Sequence, residues 1–304
     1  SSAVGYILDN DIEGITIDPN PDPKDPNDPK DLDSKGAKVT EGDTAEFKVT
    51  LTESSSDQVV NVAIAGGSAT KGADFLNASE TESITVKYAD GSIVTIAANV
   101  DGTYSVPVKA GQTNFVVQVK TFDDAIIENE ENFTLTVKVA DKTATSTGTI
   151  LDNDKPEAVI VPKDPKDPIV EVPKDPNDPT KPLDPKDPSV GTKGAVAIEG
   201  NDLVFTVTVT QSVNVQTYDF KITDGTATLG EDYTSNNVVF TNGVTYDAVT
   251  GKITVPAGVT AFEVNVKTID DAIIENTESL TVSVGTSSAV GYILDNDIEG
   301  ITID

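Results

Sequence analysis

Polar and apolar residues alternate along several short segments of the chain. Residues 46–51 (EFKVTL), 115–120 (FVVQVK) and 262–267 (FEVNVK) place an apolar side chain at every second position. A repeat of two that is rich in Val, Thr and Phe is typical of half-buried antiparallel strands. Turn dipeptides such as those at 90–91 and 242–243 separate the segments, and no segment shows convincing helical periodicity. The pattern therefore predicts an all-β chain.

The chain contains two related blocks. Residues 121–128 (TFDDAIIE) recur as residues 268–275 (TIDDAIIE), and each copy is followed by a strand-like segment and then by the turn ILDND. These landmarks predict two homologous domains, at 34–154 and 193–297. Roughly seven or more short strands in each block favour an antiparallel sandwich of two sheets.

The two ends of the chain are identical. The first 18 residues recur unchanged as residues 287–304. Identical ends indicate a window cut from a tandem array. We therefore expect residues 1–11 to be the C-terminal strand remnant of a preceding repeat, and residues 298–304 to be the start of the next linker.

Proline marks the predicted linkers. Of the 17 prolines, 15 fall within residues 19–29 and 156–188, among many Asp and Lys residues. This composition predicts linkers at 12–33 and 155–192. From Pro173 onward the prolines come at every third residue, which is the period of the polyproline II helix. We expect a semi-rigid extended spacer between the two domains; a flexible tether is the alternative.

The composition excludes several kinds of chemistry. The chain has no Cys, His, Met or Trp. Without Cys and His, thiol and imidazole nucleophiles, Ser-His triads and ordinary zinc sites are excluded. A pair of carboxylates can hydrolyse glycosides, but the chain has no Trp to stack on a sugar. We therefore expect no enzymatic activity.

The charge of the chain indicates which partners it attracts. Its 51 Asp and Glu residues outnumber its 21 Lys and Arg residues, for a net charge of -30. This negative field repels nucleic acids and anionic membranes, and it attracts cations. No apolar run approaches the roughly 20 residues that a membrane helix needs. We expect no nucleic acid binding and no membrane insertion.

Four acidic landmarks follow one another in the same order in both blocks: Glu-Gly before an early strand, Gly-x-Asp-aromatic, Asp-Asp-x-x-x-Glu, and a closing Asp-x-Asp. In this order they resemble the Calx-beta family. The resemblance implies two immunoglobulin-like, antiparallel β-sandwiches that bind Ca²⁺ at one end. The near-identical tandem array and the Asp-Pro linkers resemble those of bacterial giant adhesins of the RTX type.

The resemblance also implies a set of calcium ligands. Calcium prefers six to eight oxygen ligands, largely from carboxylates and carbonyls. The alternative is that these acidic turns are simply solvated. The closing turn is not all acidic, since it carries Asn153 in one block and Asn296 in the other. Fewer carboxylates in this turn imply weaker or fewer bound ions. The candidate ligands are Glu41, Asp74, Asp123, Asp124, Glu128, Glu131, Asp152 and Asp154 in the first block, and Glu199, Asp232, Asp270, Asp271, Glu275, Glu278, Asp295 and Asp297 in the second.

These features predict a calcium-rigidified structural repeat, or stalk segment, of an extracellular adhesin on a bacterial cell surface. Its expected partners are calcium ions, neighbouring repeats of the same chain and, through other domains, a host or surface ligand. The alternative is that the sandwiches themselves bind a glycan or a protein. Repetition adds length to a stalk, but it also gives avidity to weak binders. An exposed aromatic patch that includes Tyr88, Tyr104, Tyr218 and Tyr246 would favour the alternative.

Overall fold

The structure, a computed structural model, describes residues 14–19, 37–76, 82–164, 174–175, 178–182 and 193–297. The predicted strand remnant at 1–11, the predicted linker start at 298–304 and most of both predicted linkers lie outside these residues. The chain divides into two compact units: the first extends to Asn153, apart from residues 125–128, which group with the second, and the second begins at Asp154. In the described part of the chain, no helix has the length and apolar character needed to cross a membrane.

The first unit contains a sandwich of two sheets, called sandwich 1. One sheet consists, in spatial order, of β1 (Ile15–Pro19), β3 (Thr44–Leu51), β8 (Asn114–Lys120), β5 (Ser83–Tyr88) and β6 (Ile93–Ala97). The other consists of β2 (Ala37–Thr40), β11 (Lys142–Leu151), β10 (Glu131–Val139), β4 (Gln58–Gly66) and β7 (Tyr104–Val108). Strands β2 and β11 are parallel, and the other neighbours within these two sheets are antiparallel.

The second unit contains sandwich 2, built in the same way. One sheet consists of β12 (Ala158–Pro162), β16 (Asp202–Val209), β22 (Ala261–Lys267) and β19 (Val239–Phe240). The other consists of β15 (Ala195–Ile198), β24 (Ser287–Leu294), β23 (Glu278–Val284), β18 (Gln216–Asp224), β21 (Lys252–Val255) and β20 (Thr245–Asp247). Strands β15 and β24 are parallel, as β2 and β11 are in sandwich 1. Two shorter strands, β9 (Ile126–Ile127) and β17 (Gln211–Ser212), also pair in parallel.

The alternating pattern of the sequence forms the cores. On β3, Phe47 and Val49 are fully buried while the residues between and beside them are not, and Phe262 and Val264 are buried in the same way on β22. Aromatic rings join the two sheets, since the ring centroids of Phe47 and Phe133 lie 5.9 Å apart. The predicted all-β fold of two antiparallel sandwiches is therefore confirmed.

The structure corrects the boundaries of both predicted linkers. The proline-rich composition predicted linkers at residues 15–19 and 158–162, yet both segments are edge strands of a sandwich. Ala158 and Ile160 of β12 are buried in the core of sandwich 2, and β12 pairs antiparallel with β16. Burial of these side chains explains why this segment joins the sheet although it ends at Pro162, because an edge strand tolerates proline at its end.

Part of the second linker also departs from the prediction. Strands β13 (Lys174–Asp175) and β14 (Asp178–Pro182) form a short antiparallel pair, with Lys174 opposite Pro182. These two strands therefore run in opposite directions, where the sequence predicted a semi-rigid spacer in the form of a polyproline II helix. Such a helix leaves its backbone polar groups to water, whereas the reversal pairs some of them with each other.

Candidate metal centre

The Glu-Gly landmark forms a turn directly after the short parallel strand. Glu199 follows β15 and is buried, and its Oε1 accepts a hydrogen bond from the Asn296 N–H at 3.2 Å. Gly200 has a φ of 81°, a conformation that glycine adopts without strain. A side chain at Gly200 would also meet Asp270, whose Cβ lies 3.0 Å from the position a new Cβ would occupy. The glycine therefore allows the loop that begins with Asp270 to lie against Glu199.

The Gly-x-Asp-aromatic landmark is a turn anchored by its aromatic ring. Tyr233 is buried and its hydroxyl donates a hydrogen bond to Asp224 Oδ1 at 2.5 Å. Asp232 Oδ2 accepts a hydrogen bond from the Thr228 N–H at 2.6 Å. Tyr233 forms an antiparallel bridge with Thr268, so the turn that carries Asp232 lies beside the start of the next landmark.

The Asp-Asp-x-x-x-Glu landmark is the loop that follows β22. The buried hydroxyl of Thr268 fixes its start by donating to the Asn201 carbonyl at 2.7 Å. Further along the loop, the Glu275 N–H donates to Asp295 Oδ2 at 3.0 Å. This bond joins the loop to the closing turn, in which the Asp297 N–H donates to Asp295 Oδ1 at 2.8 Å.

The four landmarks of sandwich 2, together with Glu278 at the start of β23, bring six carboxylates together in two groups. Each member offers one oxygen, and the three oxygens of a group lie within 4.8 Å of one another. The first group, called site A, is Glu199, Asp271 and Asp297, and the second, called site B, is Asp232, Glu275 and Glu278.

The matching residues of the first repeat form the same two groups. They are Glu41, Asp124 and Asp154 in one group, and Asp74, Glu128 and Glu131 in the other. The supporting hydrogen bonds recur as well: the Asn153 N–H donates to Glu41 Oε1 at 3.0 Å, and the Thr121 hydroxyl donates to the Asp43 carbonyl at 2.7 Å. Two sequences that differ at many other positions thus produce one arrangement of carboxylates.

Of the 16 candidate ligands, the structure brings 12 into these groups and leaves Asp123, Asp152, Asp270 and Asp295 outside them. The asparagine of the closing turn accounts for Asp270, because Asn296 Nδ2 donates to Asp270 Oδ1 at 2.9 Å. Asn153 holds Asp123 at the same distance. Asparagine at this position therefore engages a neighbouring carboxylate, a role that the sequence analysis did not foresee.

The site of sandwich 2 also includes an acidic residue that the sequence patterns did not predict. A small cavity in sandwich 2 is lined by members of both sites together with Glu231 and Asp295. Glu231 replaces Ala73 of the first repeat, between the glycine and the aspartate of the turn. Comparison of the two turns, Gly-Glu-Asp-Tyr and Gly-Ala-Asp-Phe, would have identified this additional carboxylate.

The crowded carboxylates of sandwich 2 hold their protons more tightly than usual. Burial, a hydrogen bond with Asp232 and the neighbouring negative charges raise the pKa of Glu278 to about 8. Burial, followed by nearby carboxylates, also raises the pKa of Glu275 and of Asp297. Burial is likewise the largest cause of the raised pKa of Glu199. Each shift means that the negative form of the group is disfavoured where it stands.

The residues present fit a divalent cation that prefers oxygen ligands. Asp297 Oδ2 is buried and has no hydrogen-bond donor. Among the residues that the structure describes, no lysine forms an ion pair with any of the six carboxylates of sites A and B. A bound cation would supply the positive charge that these groups lack, and hard cations such as Ca²⁺ are held by carboxylate and carbonyl oxygens.

In the absence of divalent cations, we expect the stability of sandwich 2 to fall as pH rises from about 4.5 to about 8. A carboxyl whose pKa is raised in the folded state binds more protons there than in the unfolded state, so its stabilising effect is complete below the unfolded pKa. That stabilising effect is lost as the pH rises through the pKa of the folded state, which for Glu278 is about 8. Thermal melting in chelator at pH 5, 6.5 and 8 tests this, and a melting temperature that rises across the series would contradict it.

The family model of the Calx-beta domain matches residues 30–94, 77–164, 193–245 and 241–303. No curated protein sequence matches the chain. Similar solved structures include the apo-form Calx CBD1 domain, at 17% identity over 36% of this chain and 83% of that chain with a TM-score of 0.25. They also include the calcium binding domain CBD12 of CALX1.1, at 12% identity over 83% of this chain and 93% of that chain with a TM-score of 0.26.

Proposed function

Since the chain belongs to the Calx-beta domain family, we propose that each sandwich is a calcium-binding structural module without catalytic activity. The observation that carries this proposal is the pair of three-carboxylate groups that recurs in both repeats. Exposed acidic turns are common without a bound ion. Solvation of such turns does not explain why two glutamates are buried at matching positions of the two repeats. Glu41 and Glu199 are both buried, although burial of a carboxylate is costly unless a partner compensates its charge.

Calcium suits these groups better than magnesium does. In sandwich 2, site A would hold one ion through Glu199, Asp271 and Asp297, and site B would hold another through Asp232, Glu275 and Glu278. Calcium accepts six to eight oxygens in flexible geometry, so main-chain carbonyls and water can complete its shell. Magnesium demands a tight octahedron and gives up its water reluctantly. A bound ion would contribute attraction between loops that otherwise repel one another.

The repeated sequence supports a structural role. Identical ends 286 residues apart, from 287 minus 1, are expected of a tandem array in which each period adds two sandwiches. We propose that the chain is a stalk segment of an extracellular, bacterial adhesin-like surface protein, with calcium ions and neighbouring repeats as its partners. A distant part of the same protein would contact the host or surface ligand.

The alternative role, in which the sandwiches bind a glycan or protein, would be favoured by an exposed aromatic patch. Tyr88, Tyr104 and Tyr218 are buried, and Tyr246 packs against the core with its ring 5.2 Å from that of Phe220. These four tyrosines are therefore part of the two cores and do not favour an adhesive surface.

Calorimetric titration of the full chain with Ca²⁺ tests the proposal. We expect binding in both sandwiches, and we expect Asp271→Asn to remove site A of sandwich 2 while binding in sandwich 1 persists. Asp124→Asn is the matched variant and should do the reverse, because each carboxylate group is drawn from a single repeat. Asp219→Asn, which removes an exposed charge on β18 outside both sites, is the control. If Asp219→Asn weakens binding as much as Asp271→Asn, calcium responds to the general charge and not to a site.

A further inference from the structure

In both repeats an edge strand precedes the proline-rich segment. Strand β1 pairs with β3 of sandwich 1, and the chain then runs through residues 20–36 before it returns to the same sandwich as β2. Strand β12 pairs with β16 of sandwich 2, and the chain returns as β15 after residues 163–194. Each proline-rich segment therefore leaves and rejoins one sandwich.

The covalent connection between the two sandwiches is much shorter than the proline-rich segment. The closing turn of the first repeat ends at Asp154, and β12 of sandwich 2 begins at Ala158. Only residues 155–157 lie between them, and three extended residues reach at most about 11 Å. The interval is the same at the chain start, where three residues, 12–14, separate Asp11 from Ile15 of β1.

We propose that the Asp-Pro-Lys segments are side arms inserted between the first two strands of each sandwich, and that successive sandwiches are joined by links of about three residues. The arms then contribute no length to the array, which grows only by the sandwiches and their short links. Residues 301–304 repeat the sequence of residues 15–18, the first four residues of β1. This proposal depends on strand pairing and chain order, not on calcium.

The distance between two spin labels, one on each sandwich, tests this proposal. The chain contains no Cys, so the labels attach only to the two cysteines introduced by Lys87→Cys on sandwich 1 and Lys221→Cys on sandwich 2. In one variant of the full chain, a loop of eight Gly and Ser residues replaces residues 165–192. In a second, twelve Gly and Ser residues are inserted between Lys155 and Pro156. We expect the first change to leave the distance between the labels unaltered, and the second to lengthen and broaden it. A mean distance that falls by tens of ångströms in the first variant would overturn the proposal, because a spacer shortens by about 3 Å per residue removed.

A second measurement tests whether β12 belongs to sandwich 2 in solution. Ile160 is 2% exposed and Val159 is 50% exposed on the same strand. We expect Ile160→Asn to lower the melting temperature of sandwich 2 in the full chain by roughly 10 °C or more. Val159→Asn, the matched control on the opposite face, should change it by about 2 °C or less. Equal, small effects of both substitutions would assign the segment to a linker and refute the side arm.

Discussion

Removing calcium from the full chain is expected to lower the melting temperature of both sandwiches by about 10 °C or more. A ligand that binds only the folded state adds RT ln(1 + [L]/Kd), which is about 2.7 kcal/mol at a hundredfold excess over Kd. For a domain of this size each kcal/mol moves the melting temperature by about 4–8 °C. The loss has a second cause, since the emptied groups place three carboxylates within 4.8 Å of one another. Differential scanning calorimetry in chelator and in millimolar calcium measures the shift.

Two controls separate a site from charge screening. A chain with a net charge of -30 is stabilised by any salt that screens its self-repulsion. The chelator sample therefore receives NaCl to equal ionic strength, and a third sample receives magnesium in place of calcium. If either control restores the melting temperature as fully as calcium does, the stabilisation is screening and the proposed sites are wrong.

Most of the fold follows from the alternation of residues, and the exceptions have a common physical cause. The segments around Phe47, Val117 and Val264 predicted the strands β3, β8 and β22, whose apolar faces are buried as expected. Strands β1 and β12 were missed because each has five residues and ends at a proline within a proline-rich composition. Five residues with two apolar positions in β1 and four in β12 do not distinguish an edge strand from a linker. Only the pairing with β3 or β16 decides between them, and pairing is a property of the fold.

The candidate site was predictable in its residues but not in its internal division. Matching positions in the two repeats identified all 12 carboxylates of the groups. The sequence could not separate Asp270 from Asp271, because the two are adjacent and chemically alike. The two side chains differ in position because of the backbone path. Asp271 lies in the group with Glu199 and Asp297, whereas Asp270 accepts a hydrogen bond from the side-chain amide of Asn296. Such a choice depends on the path of the loop, which Gly200 and Thr268 determine through close contacts.

The substitution Glu278→Gln is expected to have opposite effects on sandwich 2 with and without calcium. The pKa of Glu278 is about 8, raised first by burial and then by Asp232, so a permanently neutral amide resembles the form that the folded state prefers. In chelator at pH 8 the variant should melt higher than the unsubstituted chain, on the order of 5 °C. It should also lose most of the decline in stability between pH 5 and pH 8, because the group that causes the largest part no longer titrates.

In calcium the same variant should melt lower than the unsubstituted chain, since site B loses one of its three carboxylates and with it much of its attraction for the ion. Glu131→Gln, at the matching position, should produce the calcium-dependent loss in sandwich 1 alone. Asp219→Asn on β18 removes one exposed negative charge and serves as the control, with little change under either condition. A structural role for Glu278 would make the variant less stable in both chelator and calcium. If the melting temperature of Glu278→Gln in chelator is lower than that of the unsubstituted chain, the Glu278 carboxylate stabilises the ion-free fold. In that case a bound ion does not act by relieving repulsion at site B.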